Sequence, residues 1–272
     1  MGNLIKTEWL KIRNYPAFWW MAGIVALSYP GVNYIFYQIY REFVQKADAN
    51  TSTMMKFLIG NPFTFPEVWH TVAYASSIFI FIPSILVIMF ITNEYTFKTH
   101  RQNIIDGWSR NQFMTAKFVD VLLISLITTL IYILVSIMIG YLNINESDGN
   151  MWGKTEYILY FFMQTFSQLS VAFLIAFITR KAFIALGIFL FYKIILEKLL
   201  VGLASVYVDD IGRFLPFEIS NRIIPVPAFV GRFGEERYNS ILAEVNEHIV
   251  YTIIFTALTW LLCFRLNKKR DL

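Results

Sequence analysis

Two charged residues, Lys193 and Glu197, interrupt a long apolar segment of the sequence. If a helix enters a bilayer at Ala182, about 11 residues at about 1.5 Å each bring Lys193 close to the bilayer centre. Glu197 follows one turn later on the same helical face. A lone charge at this depth costs about 2.5–3.5 kcal/mol, so the two charges must pair or face a water-filled cavity.

Three interpretations of this intramembrane polar pair stay open. The pair is a polar element of a translocation path or dimer seam, or it locks the helix to its neighbours. In the third interpretation the charges already face the outer interface, because Lys198 follows at once and indicates a helix leaving the membrane. Lys198 favours the two structural interpretations over the functional one.

Catalysis within this chain has little support in the sequence. Asp120 has Lys117 one turn earlier, which is typical of a satisfied charge rather than a catalytic acid. No phosphate loop of the form Gly, four residues, Gly-Lys-Ser/Thr occurs, so any ATP is expected to be hydrolysed by a partner. Three histidines lie too far apart in sequence for metal-ligand spacing: His70, His100 and His248.

A charged segment, Asn93 to Lys117, separates two apolar stretches and has the pattern of a short amphipathic helix. Its apolar residues fall on one helical face: Ile104, Ile105 and Trp108. Its charged residues surround that face: Arg101, Asp106 and Arg110. An apolar ridge with charged flanks fits a groove on a soluble partner. The alternative is a solvated loop whose positive charge only fixes topology.

The two kinds of residue in this segment would contribute unequally to such docking. Arg101 and Arg110 are candidates for exposed ion pairs, worth about 0–1 kcal/mol each. The apolar ridge is therefore the better candidate for binding energy. Beyond it, Ser109 with Asn111 predicts a turn or a new helix cap that leads back to the membrane.

The elements that must position these residues are membrane spans. The chain is 57% hydrophobic, 18% aromatic and only 15% charged, with a mean hydropathy of +0.53, which is typical of a multi-pass membrane protein. Its apolar runs predict about six helical spans of about 20 residues each. They are Ala17–Ile39, Trp69–Thr92, Phe118–Leu142, Tyr157–Ile178, Ala182–Leu203 and His248–Phe264. Residues 1–272 then form a single all-α transmembrane domain without a nucleotide-binding domain.

Lysine and arginine cluster in the pieces that share one side of the membrane when the N-terminus is inside. This clustering predicts a multi-pass protein of the cell inner (cytoplasmic) membrane with both termini in the cytoplasm. The net charge of +4 then reflects topology and gives no reason to expect nucleic acid as a partner.

Two further segments have more than one interpretation. Residues Met1 to Tyr15 have the pattern of an amphipathic helix in the inner interface, or of a plain basic leader into the first span. Ser205 to Glu247 is long, partly apolar and rich in glycine and proline. It is either a broken, re-entrant outer segment before span six or an ordinary folded outer loop.

This layout resembles a type-2 ABC transporter permease, the transmembrane subunit of an ABC exporter. The likeness covers the whole chain in layout, but in letters it concentrates in the segment after span two. The matching residues there are Glu94, Thr99, Asp106, Gly107, Ser109, Arg110 and Lys117. The resemblance implies a permease homodimer, or a heterodimer with a related permease, in contact with membrane lipids.

The resemblance also implies that each half docks through a cytoplasmic coupling helix onto an ABC ATPase subunit. Glu94 would then hold the base of span two, while the helix from Ile104 to Trp108 enters the partner. This chain would bind no cofactor, since ATP and magnesium belong to the ATPase. The expected function is export of an unidentified substrate, with an apolar wall that favours a lipid or hydrophobic peptide.

A motor-independent membrane protein is the alternative function. A secondary transporter would use inverted repeats and midspan ionisable residues, and only Lys193 with Glu197 could serve as a coupling pair. A structural or assembly subunit of an envelope complex would need no path at all. The sequence leaves this class open.

Overall fold

The computed structural model describes residues 13, 16–46, 61–105, 107–144, 150–207, 210–227 and 235–269. These residues form helices and contain no β-strand, so the predicted all-α class is confirmed. The helices are α1 (Pro16–Lys46), α2 (Val68–Ile78), α3 (Phe81–Thr96), α4 (Thr99–Ile105), α5 (Arg110–Leu142), α6 (Glu156–Thr179), α7 (Ala182–Leu190), α8 (Glu197–Tyr207), α9 (Glu218–Asn221) and α10 (Glu235–Lys269). A π-helical turn, Phe191–Leu196, joins α7 to α8, and a 3-10 turn, Ile211–Phe214, precedes α9. The proposed interfacial helix at Met1 to Tyr15 falls almost wholly outside the described residues.

Three of these helices, α5, α6 and α10, are long and apolar enough to cross a membrane, and α2 with α3 makes a fourth if the bent pair is one span. The other two predicted spans correspond to α1 and to α7 with α8, which are outside this set. A multi-pass membrane protein is therefore supported, while the count of six stays a prediction.

Helix α6 lies at the centre of the bundle, where it packs against α2, α3, α5, α7, α9 and α10. Its buried face combines large aromatics such as Phe161 and Phe173 with polar residues such as Gln164 and Gln168. Van der Waals contacts between these side chains stabilise the bundle, and the buried polar groups must find partners inside it. The core therefore also contains polar contacts that join one helix to another.

The sequence predicted span two as one continuous helix. The structure instead forms it from two helices, α2 and α3, at 48° to each other. The break lies at Phe79 and Ile80, just before Pro83 in the first turn of α3. Proline has no N–H and its ring clashes with the carbonyl four residues earlier, which disfavours a continuous helix through this point. The bend leaves a space beside α2.

Two spans begin earlier than their apolar runs. Helix α5 starts at Arg110 because the Ser109 hydroxyl accepts from the Gln112 backbone N–H while the Gln112 side chain accepts from the Ser109 N–H, a complete capping box. Helix α10 starts at Glu235, although Ser205 to Glu247 was predicted as a broken or loop segment. Its first turns contain glutamate, alanine and leucine, which favour helix without being continuously apolar.

The bundle has two distinct ends. At one end, the Arg110 guanidinium donates to the Lys268 carbonyl at 2.8 Å, and Arg180 lies over the Tyr95 ring. This end comprises residues 95–117, 179–181 and 265–269, and we call it the basic end. At the opposite end, here the far end, the Lys154 ammonium binds Glu67 at 2.7 Å.

Candidate functional site

A buried ion cluster lies where α3 and α5 meet at the basic end. The Lys117 Nζ donates to Glu94 Oε1 at 2.6 Å and to Asp120 Oδ2 at 3.2 Å. Lys117 is fully buried, and each carboxylate side chain is only 5% exposed. Lys117 also lies over the ring of Phe90, 4.7 Å from its centroid. This cluster ties the end of span two to the start of span three, and the predicted satisfaction of Asp120 by Lys117 is confirmed.

Helix α4 folds back directly onto this cluster. Lys98 takes a left-handed backbone conformation, φ 56°, that turns the chain out of α3. The His100 ring then donates Nδ1–H to the Glu94 carbonyl at 3.2 Å and lies 4.6 Å from the Tyr95 ring. The short helix is therefore attached at its first turn to the residue that anchors span two.

The predicted apolar ridge is divided between two elements. Helix α4 ends at Ile105, and Gly107 follows with φ 97°, a conformation that L side chains rarely adopt. Trp108 lies outside the helix and is half-buried, so the predicted helical spacing does not run through Trp108. Ile105 itself is 83% exposed.

Three other predicted coupling residues have different outcomes. Arg110 contacts α10, since its guanidinium donates to the Lys268 carbonyl and its own carbonyl accepts from Asn267 at 2.7 Å. This contact gives Arg110 a structural role in addition to the predicted rim position. The backbones of Arg101 and Ile104 lie in α4, but their side chains, like all of Asp106, fall outside the described residues.

Lys193 and Glu197 lie on the π-helical turn and the first turn of α8, where each has a partner other than its predicted mate. The Lys193 Nζ donates to Gln168 Oε1 at 2.6 Å. Glu197 Oε1 accepts from the backbone N–H groups of Phe217 and Glu218 at 2.8 and 2.5 Å. Among the ion pairs of the described residues, none joins Lys193 to Glu197, so the two side chains form no direct salt bridge.

Glu197 thereby caps α9, whose first two N–H groups have no partner inside the helix. The side chain is only 1% exposed, so Oε1 meets directed N–H dipoles rather than water. Next to it, Arg222 binds Asp210 through both guanidinium ends, with Nη2 at 2.6 Å from Oδ1. The hydrogen bond from Arg222 lowers the pKa of Asp210, which keeps this carboxylate charged.

These polar residues form a cluster that sequence reasoning largely missed. Gln168 Nε2 donates to Asn221 Oδ1 at 2.9 Å, and Gln164 Nε2 donates to the same oxygen at 3.0 Å. The signal was available, because Gln164 and Gln168 lie one turn apart within an apolar span and polar residues at that depth need partners. Their partner Asn221 could not be found from sequence, since it comes from a segment without helical or strand periodicity.

Comparison with known families supplies the context for both sites. Residues 4–196 match the family model described as ABC-2 family transporter protein. The chain belongs to this family. It is therefore a transmembrane subunit of an ABC transporter and not the ATPase itself, and its family works with a separate ABC ATPase subunit. A search of the curated proteins gave no match.

In this ABC-2 permease the family match ends between Lys193 and Glu197. The ion cluster of Lys117, helix α4 and Lys193 lie inside the matched residues. Glu197 and the segment it caps, residues 210–227, lie beyond them. The family match therefore covers the ion cluster and α4, whereas Glu197 and Asn221 of the polar cluster lie outside the matched residues.

Proposed function

We propose that this permease is the membrane half of an ATP-driven exporter in the inner membrane, with its basic end and both termini in the cytoplasm. A separate ATPase would bind ATP and magnesium and dock on α4. The observation that carries the proposal is Ile105, an apolar side chain 83% exposed at the end of a helix that is attached to a buried ion cluster.

Exposure of apolar surface at the basic end supports docking there. Phe97, just before α4, is 70% exposed as well, and Lys98 lies between them in sequence. Apolar residues outside the spans gain free energy when a partner removes them from water. The flanking positive charge favours a partner surface with acidic groups at its rim.

The ion cluster explains how docking could move the spans. Lys117 joins α3 to α5, and His100 joins α4 to the end of α3. A force applied at Ile105 is therefore transmitted to two spans through short, buried contacts. ATP binding would bring two ATPase subunits together, and two permease copies, identical or related, would shift between inward-facing and outward-facing arrangements.

Co-purification of an ATPase in mild detergent tests the proposal. We expect an ABC ATPase subunit to accompany the wild-type chain, and its recovery to fall at least about tenfold with Ile105→Asp, because an exposed apolar side chain that the partner would bury is replaced by a charge. The matched control is Ile144→Asp, which introduces the same charge at an exposed isoleucine of the far end. Membrane insertion should be unchanged in both variants.

Two results would contradict the proposal in different ways. Equal ATPase recovery with Ile105→Asp and wild type would show that the partner docks elsewhere. Absence of any ATPase from all preparations would favour the motor-independent class, a secondary transporter or an assembly subunit.

A further inference from the structure

A cavity of about 1040 Å³ lies toward the far end of the molecule, beside the bend between α2 and α3. Its walls come from the bent span, from α6, from the π-helical turn with α8, from residues 210–226 and from the start of α10. Pockets that hold small ligands have volumes of about 300–1,000 Å³. The cavity is large enough for a ligand, and its polar groups are unequally distributed.

One cation in the wall keeps hydrogen-bonding capacity. The Lys193 ammonium has three protons, and one hydrogen bond, to Gln168, is formed. Two aromatic rings, Phe189 and Phe217, also lie beside it, with centroids at 5.8 and 5.4 Å. Within the described chain no carboxylate lies at ion-pair distance from Lys193. The site therefore favours an anionic oxygen.

The other cations of the cavity wall are already neutralised. Arg222 contacts the carboxylates of Asp210, Glu218 and Glu244, and Lys198 lies 3.5 Å from Glu218. An anion entering the cavity would compete with these carboxylates at Arg222. At Lys193 it would compete only with a neutral amide.

A second polar group beside Lys193 indicates a ligand with a donor as well. Gln164 is 1% exposed and lines the cavity, and its Oε1 has no hydrogen-bond partner among the described residues. Its Nε2 donates to Asn221, which fixes the orientation of the amide. A buried acceptor without a partner has a free-energy cost. A hydroxyl or ammonium group of a ligand would remove that cost.

The mouth of the cavity is apolar and faces the predicted membrane region. Ile78 of the bent span is 47% exposed, and Ile194 of the π-helical turn is 55% exposed. An extended peptide would place backbone N–H and C=O groups against these side chains without partners, which is costly in an apolar environment. Acyl chains carry no such groups.

We propose that this cavity binds a phospholipid, with its phosphate at Lys193, a head-group hydroxyl or ammonium at Gln164, and its acyl chains across Ile78 and Ile194. The assignment rests on the proposed export function and names an anionic amphiphile as the substrate class. The bend in span two provides the lateral opening through which the acyl chains remain in the bilayer.

Equilibrium binding of a fluorescent short-chain phosphatidylglycerol to the full-length protein in detergent tests this site. We expect Lys193→Met to weaken binding about tenfold or more, because a charge-assisted hydrogen bond is lost. Lys193→Arg should retain affinity within about threefold, since it keeps the charge. The matched control is Lys154→Met, which removes one positive charge at the same end outside the cavity.

A second variant tests the acyl-chain path without changing charge or the buried amides. Ile78→Trp enlarges an exposed side chain at the mouth and should weaken lipid binding several-fold, because the larger ring obstructs the path of an acyl chain. Size-exclusion profiles establish that each variant is folded. Wild-type affinity in folded Lys193→Met and Ile78→Trp together would overturn the proposal.

Competition experiments distinguish the chemical sources of the anion. Inorganic phosphate that displaces the lipid at equal concentration would assign the site to a free anion and overturn the lipid. An acidic peptide that displaces it more effectively would assign the site to a peptide. Displacement by unlabelled phosphatidylglycerol alone supports the proposal.

The same preparations separate this proposal from the export function. Binding requires no ATP, and the ATPase is assayed by co-purification. An ATPase without lipid binding would leave the exporter intact and remove only its lipid substrate. Lipid binding without an ATPase would retain the site and remove the motor.

Discussion

Lys117 is the residue on which the basic end depends most. It is fully buried between Glu94 and Asp120, so its removal leaves two carboxylates without their ammonium partner. We expect Lys117→Met to lower the free energy of unfolding by about 3–5 kcal/mol. The reason is that the carboxylates stay buried while the ammonium group that compensated their desolvation is gone. Thermal unfolding in detergent, followed by circular dichroism, measures the effect.

Lys154→Met is the matched comparison for this substitution. Lys154 binds Glu67 at 2.7 Å, but both side chains are more than one third exposed. A solvent-screened pair contributes about 0–1 kcal/mol, so this variant should unfold close to wild type. Similar losses in the two variants would contradict the special role of burial at Lys117.

Sequence spacing predicted some residue contacts and could not predict others. Lys117 and Asp120 lie one turn apart on one helix, so local geometry was sufficient. The family resemblance predicted that Glu94 holds the base of span two. The structure adds Lys117 as its specific partner. Gln168 as the partner of Lys193 depends on the relative register of α6 and the π-helical turn, and that register has no signature in a single sequence.

The contact of Glu197 with the start of α9 holds residues 210–227 at the far end of the bundle. Its carboxylate accepts from the N–H groups of Phe217 and Glu218 at the start of α9. We expect Glu197→Leu to loosen residues 210–227, because two backbone donors lose their acceptor and each such loss costs about 1–3 kcal/mol. Trypsin should then cleave after Arg213 and Arg222 several times faster than in wild type.

Glu156→Leu controls for the loss of one negative charge. Glu156 lies in the first turn of α6 and is exposed, so its removal should leave cleavage after Arg213 and Arg222 unchanged. Equal cleavage of wild type and Glu197→Leu would show that other contacts, such as Gln168 with Asn221, are sufficient to hold the segment.

Apolar runs located the elements well, but their ends and breaks only in part. Span four was predicted as Tyr157–Ile178 and forms Glu156–Thr179, because both ends of the run carry polar residues. Span two was predicted as continuous, since hydropathy does not register the effect of Pro83 on the helix. The end of α4 at Ile105 depends on the backbone of Gly107, which overrides the helical spacing of the residues around it.

The orientation of the whole molecule can be measured with single cysteines. The chain has one cysteine, Cys263, and it is buried, so background labelling should be low. We expect a membrane-impermeant maleimide to label Asn150→Cys in intact cells and to spare Gln102→Cys until the membrane is permeabilised. The physical reason is the clustering of lysine and arginine at the basic end.

Both substituted positions are exposed, so a difference in labelling reports sidedness rather than burial. Labelling of Gln102→Cys in intact cells would reverse the proposed topology and place the docking helix outside. Labelling of both positions after permeabilisation confirms that each variant is reactive.

The π-helical turn at Phe191–Leu196 has a consequence for any change in chain length. Such a turn accommodates one residue more than an α-helical turn, so everything beyond it is rotated by about 100° relative to an uninterrupted helix. Deleting Ile195 would restore a regular α-helix and swing Glu197 about a quarter of a turn away from Phe217. Lys193 would stay beside Gln168, so a one-residue deletion would separate the cavity's cation from the carboxylate that caps α9.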